Sequence, residues 1–209
     1  MPKKLLIFPY NGNGLEALDA VGEAYEFIGF IDDTPGKQGM HPNGFEVYSR
    51  EIIHRYREAY VLAVPGSPTS YLTRRKTISS LEISPERFAR VVHPRATVSP
   101  YATIGYNVLL MAGVVVTSNA SIGNHVCVLP NSVIHHDAEI GSYTLIGSQV
   151  VIAGHASIRE NCYIGSGTTI KDHIQIGENS LIGIGSNIIR DVVSHAKMVG
   201  NPARNLNQP

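Results

Sequence analysis

The sequence predicts a Rossmann-like α/β domain followed by an all-β domain that forms a parallel β-helix. Strand-like and helix-like stretches alternate over residues 1–88, and an aliphatic residue recurs at every sixth position over most of residues 89–209. Charged residues make up only 16% of the chain, against roughly a quarter in an average globular protein. We therefore expect two domains, at 1–88 and 89–209, and a surface that is partly buried between subunits.

The first domain follows the pattern of a small parallel α/β fold. Buried strands are predicted at residues 4–8 and 27–31, with a Gly-containing loop and a helix at residues 15–23 between them. A further strand is predicted at residues 60–64, and the helix after it carries Arg74, Arg75 and Lys76. We interpret these three basic residues as a solvated helix face.

Two segments of this domain are candidates for binding a nucleotide. The loop after the first strand would point backbone N–H groups at an anion, and two carboxylates follow the second strand, where such folds contact a ribose or a base. Pro9 stands where a dinucleotide fingerprint has its first glycine, so a purely structural turn is the alternative. The candidate residues are Asn11, Gly12, Asn13, Gly14, Asp32 and Asp33.

The repeat in the second domain is strict. Every sixth residue from Val92 to Ile188 is Val, Ile or Leu, without an insertion. In a parallel β-helix three hexapeptides form one triangular coil, and the aliphatic side chain of each hexapeptide points inside. Residues 18 positions apart then lie one above another at the strand spacing of roughly 4.8 Å.

The residues just before the aliphatic positions point outward and form three columns, two apolar and one polar. A chain that exposed both apolar columns would be poorly soluble, so we expect both to be buried in a symmetric oligomer, a homotrimer. The columns are Leu109, Cys127, Leu145, Tyr163 and Leu181; then Val115, Val133, Val151 and Thr169; then Ser121, Glu139, Ser157 and Gln175.

The same stacking predicts a catalytic site at a corner of the coil. His136 and Asp137 lie at the edge of an apolar column, and Gly154 lies one coil above His136. This arrangement suits acyl transfer: His136 as general base, Asp137 orienting it, and the Gly154 N–H stabilising an oxyanion. The alternatives are histidines that merely solvate a turn, and a metal site of Asp137, His155 and His173; we favour acyl transfer without a metal.

Composition excludes several other classes of function. The 17 basic and 17 acidic residues balance, so the chain has no electrostatic signature of binding to nucleic acid or to anionic lipid. The N-terminal apolar run is too short for a signal peptide, and no run of 18 apolar residues occurs. Cys127 and Cys162 lack metal-binding spacing and are expected to be reduced packing residues of a cytoplasmic protein.

These features together resemble the hexapeptide-repeat sugar acetyltransferases of the PglD and NeuD type. The resemblance covers nearly the whole chain: the Rossmann-like start, the strand end at residues 30–33, the repeat, the His136–Asp137 pair and residues 199–204 at the C-terminus. It implies a left-handed β-helix, a homotrimer and acetyl-CoA bound between subunits. The resemblance also implies that the N-terminal domain holds a nucleotide-linked amino sugar, whose amino group attacks the thioester directly.

The resemblance also assigns roles to single residues. His136 matches the catalytic base, Asp137 its acidic neighbour and Gly154 the glycine near the thioester carbonyl. The positions that match contacts to acetyl-CoA are Ala153, Gly154, Ser166, Ile184 and Pro202. Gly66 joins the loop and the two carboxylates as a substrate-binding candidate. Acetylation of a sugar hydroxyl, and a nonenzymatic trimeric scaffold that binds a sugar nucleotide, are the competing functions.

Overall fold

A computed structural model describes residues 1–206 of the chain. The N-terminal domain is a five-stranded sheet with three short α-helices, and one-turn 3₁₀ helices lie at Leu18–Ala20, Tyr71–Thr73 and Pro85–Arg87. No helix within 1–206 has the length and apolar character needed to cross a membrane. The elements are β1 (Lys3–Phe8), α1 (Gly12–Ala17), β2 (Tyr25–Ile31), β3 (Gly39–Met40), β4 (Glu46–Tyr48), α2 (Ile52–Arg55), β5 (Tyr60–Ala63) and α3 (Arg74–Ser79).

The strands are ordered β3-β4-β2-β1-β5, and β1 pairs in parallel with β2 on one side and with β5 on the other. The chain therefore reverses its winding direction at β1, and a crevice opens at the carboxyl ends of β1 and β2. Only β3 runs antiparallel, at the edge of the sheet. The helix predicted at 15–23 is wrong in its bounds: Asn11 caps α1 by accepting from Gly14 N at 2.8 Å, so the helix starts earlier and ends at Ala17.

The second domain is a parallel β-helix, as predicted from the repeat. Its strands form three parallel sheets, here called faces 1, 2 and 3. Face 1 contains Arg90–Val92, Val108–Leu110, Cys127–Val128, Leu145–Ile146, Tyr163–Ile164, Leu181–Ile182, Lys197–Gly200 and Ala203–Asn205, the last of which pairs antiparallel. Face 2 contains Thr97–Val98, Val115–Val116, Val133–Ile134, Val151–Ile152, Thr169–Ile170 and Asn187–Ile188. Face 3 contains Thr103–Ile104, Ser121–Ile122, Glu139–Ile140, Ser157–Ile158 and Gln175–Ile176.

The strand register confirms the 18-residue stacking on all three faces. Cys127 pairs with Leu145, Val133 with Val151, and Ser121 with Glu139. The aliphatic repeat residues from Val116 to Ile188 are buried, so they form one continuous column of apolar side chains inside the prism. We call the corner between faces 1 and 2 corner A, that between faces 2 and 3 corner B, and that between faces 3 and 1 corner C.

The N-terminal domain covers face 1 within the same chain. Leu109, Cys127 and Leu145 on the outside of this face are buried, and they belong to one apolar cluster with Leu5 and Leu62 of the N-terminal sheet. The prediction that both apolar columns are buried between subunits is therefore wrong for face 1, because the apolar column meets the chain's own first domain. On face 2, Val115, Val133 and Val151 remain half-buried.

A buried polar network joins the two domains at corner C. The Asn107 side chain accepts from Ala63 N at 2.7 Å and donates to Ala63 O at 2.9 Å, so it continues the edge of β5. Its Nδ2 also lies 2.9 Å from His125 Nδ1, which therefore acts as the acceptor. Burial, together with the charges of Arg74 and Arg75, lowers the pKa of His125 to about 4, so its ring is neutral at neutral pH.

Arg74 corrects the interpretation of the basic helix as a solvated face. Its side chain is 1% exposed, and its guanidinium donates to the carbonyl of Pro65 and, at 2.8 Å, to that of His125. Burial lowers the pKa of Arg74 to about 10, which leaves it charged at neutral pH. The helical spacing in the sequence does not reveal this role, because the partners are backbone carbonyls of two distant loops.

The two cysteines are buried, free thiols, as expected of packing residues. Burial raises the pKa of the Cys127 thiol to about 11 and that of the Cys162 thiol to about 12. Both are therefore protonated at neutral pH and poor nucleophiles.

We expect Asn107→Ala to destabilise the protein by about 2 kcal/mol more than Asn131→Ala, because it leaves the buried Ala63 N–H and C=O without partners. Asn131 is the matched control: it is exposed and, like Asn107, has a positive φ, so both variants incur the same backbone strain. Urea unfolding of the two variants measures the difference. Equal losses of stability would show that the Asn107 contacts add nothing.

Candidate active site

The candidate site lies at corner B, where the chain turns from face 2 to face 3. Asn119, Asp137, His155 and His173 occupy the same position in four successive coils, and each has φ close to +60°. This left-handed backbone conformation is tolerated best by Gly, Asn, Asp and His among the common residues. The tight turn therefore aligns four polar side chains in a column along the corner.

His136 and Asp137 form the pair that the sequence predicts. His136 Nδ1 lies 2.8 Å from Asp137 Oδ2, and Asn119 Nδ2 donates to Asp137 Oδ1 at 3.2 Å. The hydrogen bonds from His136 and then Asn119 lower the pKa of Asp137 below its usual value, so the carboxyl is ionised. The carboxylate therefore orients the imidazole and leaves His136 Nε2 available for chemistry. The His136 side chain is 56% exposed.

Gly154 lies directly against the His136 ring. A Cβ placed on Gly154 would lie 2.7 Å from His136 Cε1 and 2.8 Å from Nε2, closer than carbon atoms approach. The missing side chain therefore makes room for the imidazole beside the backbone of the next coil. The predicted neighbourhood of His136 and Gly154 is present in the structure.

Two further histidines continue the column beyond Asp137. His155 Nε2 lies 3.9 Å from Asp137 Oδ2, and the His155 ring meets the His136 ring edge-on at 5.2 Å. His173 stacks on His155 with ring centroids 4.7 Å apart, while its Nε2 lies 3.8 Å from Asp172. Of the residues in the alternative metal set, Asp137 and His155 are close together, and the nearest third ligand is His136 rather than His173.

The residues predicted to contact acetyl-CoA fall into two groups in a single chain. Ala153 and Gly154 lie at corner B, whereas Ser166 and Ile184 lie at corner A. Pro202 follows Asn201, whose side chain accepts from Asn187 Nδ2 of face 2 at 3.2 Å. Ile184 is 78% exposed, unusually so for a large apolar residue. The two groups thus occupy opposite edges of face 2.

Part of the predicted substrate set lines the crevice at the end of β1. Asn11, Asp32 and Asp33 border a cleft of about 540 Å³, which Lys37 and Arg50 also line. Lys37 Nζ lies 2.9 Å from Asp32 Oδ2, and Arg50 pairs with Asp33. The cleft therefore combines two carboxylates with two cations.

Asp32 is held in place from several sides. It is 4% exposed and accepts from Thr34 N at 2.9 Å. Burial alone would raise its pKa, but the hydrogen bonds from Thr34 and Lys37 outweigh burial and lower the pKa of Asp32. Its carboxylate is therefore ionised and fully engaged, whereas Asp33 is more exposed.

Gly66 and Asn13 border a different space from the two carboxylates. Asn13 Nδ2 donates to Gly66 O at 3.3 Å, and both line a pocket of about 150 Å³ against Leu145 and Tyr163 of face 1. Gly66 has φ +125°, and a Cβ there would lie 2.7 Å from Leu145 Cδ1, so the close approach of the two domains requires glycine. Gly14 likewise approaches Pro9 O too closely for a Cβ, while Gly12 is in open space.

Three residues of the candidate sites are absent from the sequence-based prediction. Asn119 carries a detectable signal, because it precedes Asp137 by 18 residues in the repeat. Lys37 and Arg50 carry none: each reaches the cleft from a loop or strand end whose path the local sequence does not determine.

The comparisons with known proteins agree with this architecture. The family model described as bacterial transferase hexapeptide (six repeats) matches residues 119–154 and 137–172, which include His136, Asp137 and Gly154. None of the curated proteins compared with the chain matches it.

Several solved structures resemble the chain over nearly its whole length. The acetyltransferase domain of PglB from Neisseria gonorrhoeae FA1090 is 25% identical, with a TM-score of 0.82 over 98% of this chain and 100% of that one. WeeI from Acinetobacter baumannii AYE is also 25% identical, with a TM-score of 0.82 over 99% and 100%.

PerB from Caulobacter crescentus, solved in complex with CoA and GDP-perosamine, is 22% identical, with a TM-score of 0.82 over 98% of this chain and 97% of that one. The PglB domain was also solved in complex with acetyl coenzyme A, in a structure 23% identical with a TM-score of 0.83 over 99% and 100%. The predicted resemblance to hexapeptide-repeat sugar acetyltransferases is confirmed.

We expect Gly154→Ala to displace the His136 ring and to break its 2.8 Å contact with Asp137, because the new Cβ would overlap the ring. A crystal structure of the variant measures the Nδ1–Oδ2 distance, with a separation beyond about 3.5 Å expected. Gly22→Ala is the control, since a Cβ there meets only Pro94 Cγ at 3.8 Å. An unmoved His136 ring in Gly154→Ala would contradict the assignment.

Proposed function

We propose that this protein is an acetyl-CoA-dependent N-acetyltransferase that acts on the amino group of a nucleotide-linked amino sugar. The proposal rests on one observation: the hydrogen-bonded His136–Asp137 pair lies directly against Gly154, which has no side chain. The fold that carries this pair is shared with the acetyltransferase domain of PglB. The neighbours that hold acetyl coenzyme A and GDP-perosamine support both substrate classes.

The chemistry follows from the geometry at corner B. The sugar amine attacks the thioester carbonyl while His136 Nε2 accepts a proton from it, and Asp137 stabilises the resulting imidazolium. The Gly154 N–H stabilises the oxyanion. The C–S bond then breaks, and the CoA thiolate leaves with the proton returned from His136. The amine is itself the nucleophile, so no Ser or Cys is required, in keeping with the protonated buried thiols.

The N-terminal domain holds the nucleotide in this proposal. The Rossmann-like order of parallel strands opens a crevice at the carboxyl end of β1, the usual location of a nucleotide in such sheets. Lys37 and Arg50 supply hydrogen-bond donors at the cleft, each paired with a carboxylate, and Asp33 is the more exposed of the two carboxylates. These features favour Asn11 and Asp33 as contacts to the base or ribose, while Asp32, which is buried and engaged by Thr34 and Lys37, holds Lys37 at the cleft.

Face 2 supports assembly of left-handed prisms into a homotrimer. Its outer valines stay half-buried in one chain, while the two groups predicted to contact acetyl-CoA lie at its opposite edges. A second copy packed on face 2 would bring Ser166 and Ile184 of one chain beside His136 and Gly154 of the other. Acetyl-CoA would then lie between subunits, with its thioester at corner B.

We expect His136→Ala to lower kcat by about 10²–10⁴-fold, because the variant lacks the group that accepts the proton. The assay mixes the protein with acetyl-CoA and a panel of nucleotide-linked amino sugars and follows release of free thiol. His54→Ala, an exposed histidine on α2, is the matched control and should keep full activity.

Near-normal turnover by His136→Ala would eliminate the proposed base. Thiol release with sugar hydroxyl acceptors but not with amino sugars would replace N-acetylation by O-acetylation. Absence of turnover with every acceptor, from protein that binds nucleotide sugars, would favour a scaffold.

We expect Val133→Asp to dissociate the homotrimer, because burying an unpaired carboxylate between subunits costs several kcal/mol. In sedimentation, the wild type should have the mass of three chains of 22.7 kDa each, and the variant should have the mass of one chain. Thr103→Asp on face 3, an exposed position whose partner in the next coil is Ser121, is the control and should stay trimeric. A wild-type protein that sediments as a monomer would contradict the assembly.

A further inference from the structure

The side chains around Asp137 offer more than an acid–base pair. One nitrogen of His136, one oxygen of Asp137 and one nitrogen of His155 all lie within 4.8 Å of one another. We propose that this triad is a binding site for a divalent transition metal of the Zn²⁺ type and that metal bound there inhibits the enzyme. The inhibition rests on the proposed function, whereas metal binding does not.

The donor set suits zinc. Two imidazole nitrogens and one carboxylate oxygen form a common three-residue zinc ligand set, with water completing a tetrahedron. Zinc–ligand bonds of about 2.0–2.2 Å place neighbouring ligand atoms about 3.5 Å apart, and the observed 3.9 Å between His155 Nε2 and Asp137 Oδ2 is close to that value. The three side chains are between 36% and 56% exposed, so small rotations can complete the geometry.

The surroundings of the triad hold its ligands in place. Asn119 donates to Asp137 Oδ1 and so leaves Oδ2 facing both histidines. The His155 ring is sandwiched between the edge of His136 and the face of His173, which limits its rotation. Such outer contacts orient metal ligands and raise affinity. Arg159 is the Lys or Arg nearest to the triad along the chain, and Lys171 lies at the same corner as His173. Neither is paired with Asp137 among the described contacts.

Coordination would compete with catalysis. A metal bound through His136 Nδ1, the nitrogen beside Asp137 Oδ2, moves the ring proton to Nε2. Nε2 then has no lone pair to accept the proton of the substrate amine, and Asp137 no longer orients the ring. Binding is a ligand exchange at the metal: metal–nitrogen and metal–oxygen bonds to the protein form, and the metal releases bound water. Zn²⁺ would therefore lower kcat without denaturing the protein, and a chelator would restore activity.

The test uses the full chain after treatment with a chelator and dialysis. Titration calorimetry with ZnCl₂ is expected to show one Zn²⁺ per chain with a Kd on the order of 1 µM, weaker than four-ligand structural sites. His155→Gln should weaken Zn²⁺ binding at least tenfold, and the turnover that this variant retains should no longer fall when Zn²⁺ is added. His54→Gln is the matched control and should bind and respond as the wild type does.

Each other outcome overturns the proposal or part of it. If His155→Gln binds Zn²⁺ as tightly as the wild type, the bound metal is an adventitious ion only. If His173→Gln loses binding and His155→Gln does not, the site lies one coil higher. If Zn²⁺ binds in a manner that depends on His155 but does not change the turnover of the wild type, the proposed inhibition is refuted. Calorimetry requires no turnover, so failure of the proposed enzymatic function leaves the metal site tested; thermal unfolding of each variant verifies that it folds.

Discussion

The stacking of coils at 18-residue intervals is the constraint on which the rest of the structure depends. An aliphatic side chain at every sixth position fills the prism, and any shift in register would expose one side of that column to solvent. The same register determines what lies outside: each outward residue meets the residue one coil away, as Val133 meets Val151 and Ser121 meets Glu139. The neighbours of His136, Gly154 above all, follow from this spacing alone.

The placement of the N-terminal domain is the second determinant, because it gives the three faces different environments. Face 1 packs on the domain's own sheet through Leu109, Cys127 and Leu145, and Asn107 extends the hydrogen bonding of β5 into the β-helix. Face 3 is polar on its outside. The apolar outer residues of face 2 stay partly exposed among the described residues, and the candidate catalytic pair lies at one edge of this face.

The sequence was informative wherever contacts repeat at fixed spacing and uninformative wherever they join distant segments. The β-helix, its columns, and the meeting of His136, Asp137 and Gly154 all follow from counting residues. The burial of Arg74, the salt bridges of Lys37 and Arg50, and the covering of face 1 depend on how two domains dock, which no local pattern records. For the same reason, the residues predicted to bind a nucleotide lie in two different places. Asn11, Asp32 and Asp33 line one cleft, whereas Asn13 and Gly66 line a pocket against Leu145.

The corner positions explain how this fold can carry acid–base side chains without loops inserted between its strands. Most corners turn through a residue with φ near +60°, and apart from Gly this residue is usually Asn, Asp or His, with Tyr143 and Gln149 as exceptions. The side chains of Asn, Asp and His can also serve as ligands, acids or bases. The environment then decides their use. At corner C the N-terminal domain buries His125 and Asn107, which become structural. At corner B nothing in the described part of the same chain covers Asp137, His155 and His173, so the same backbone requirement leaves a column of polar side chains accessible to solvent.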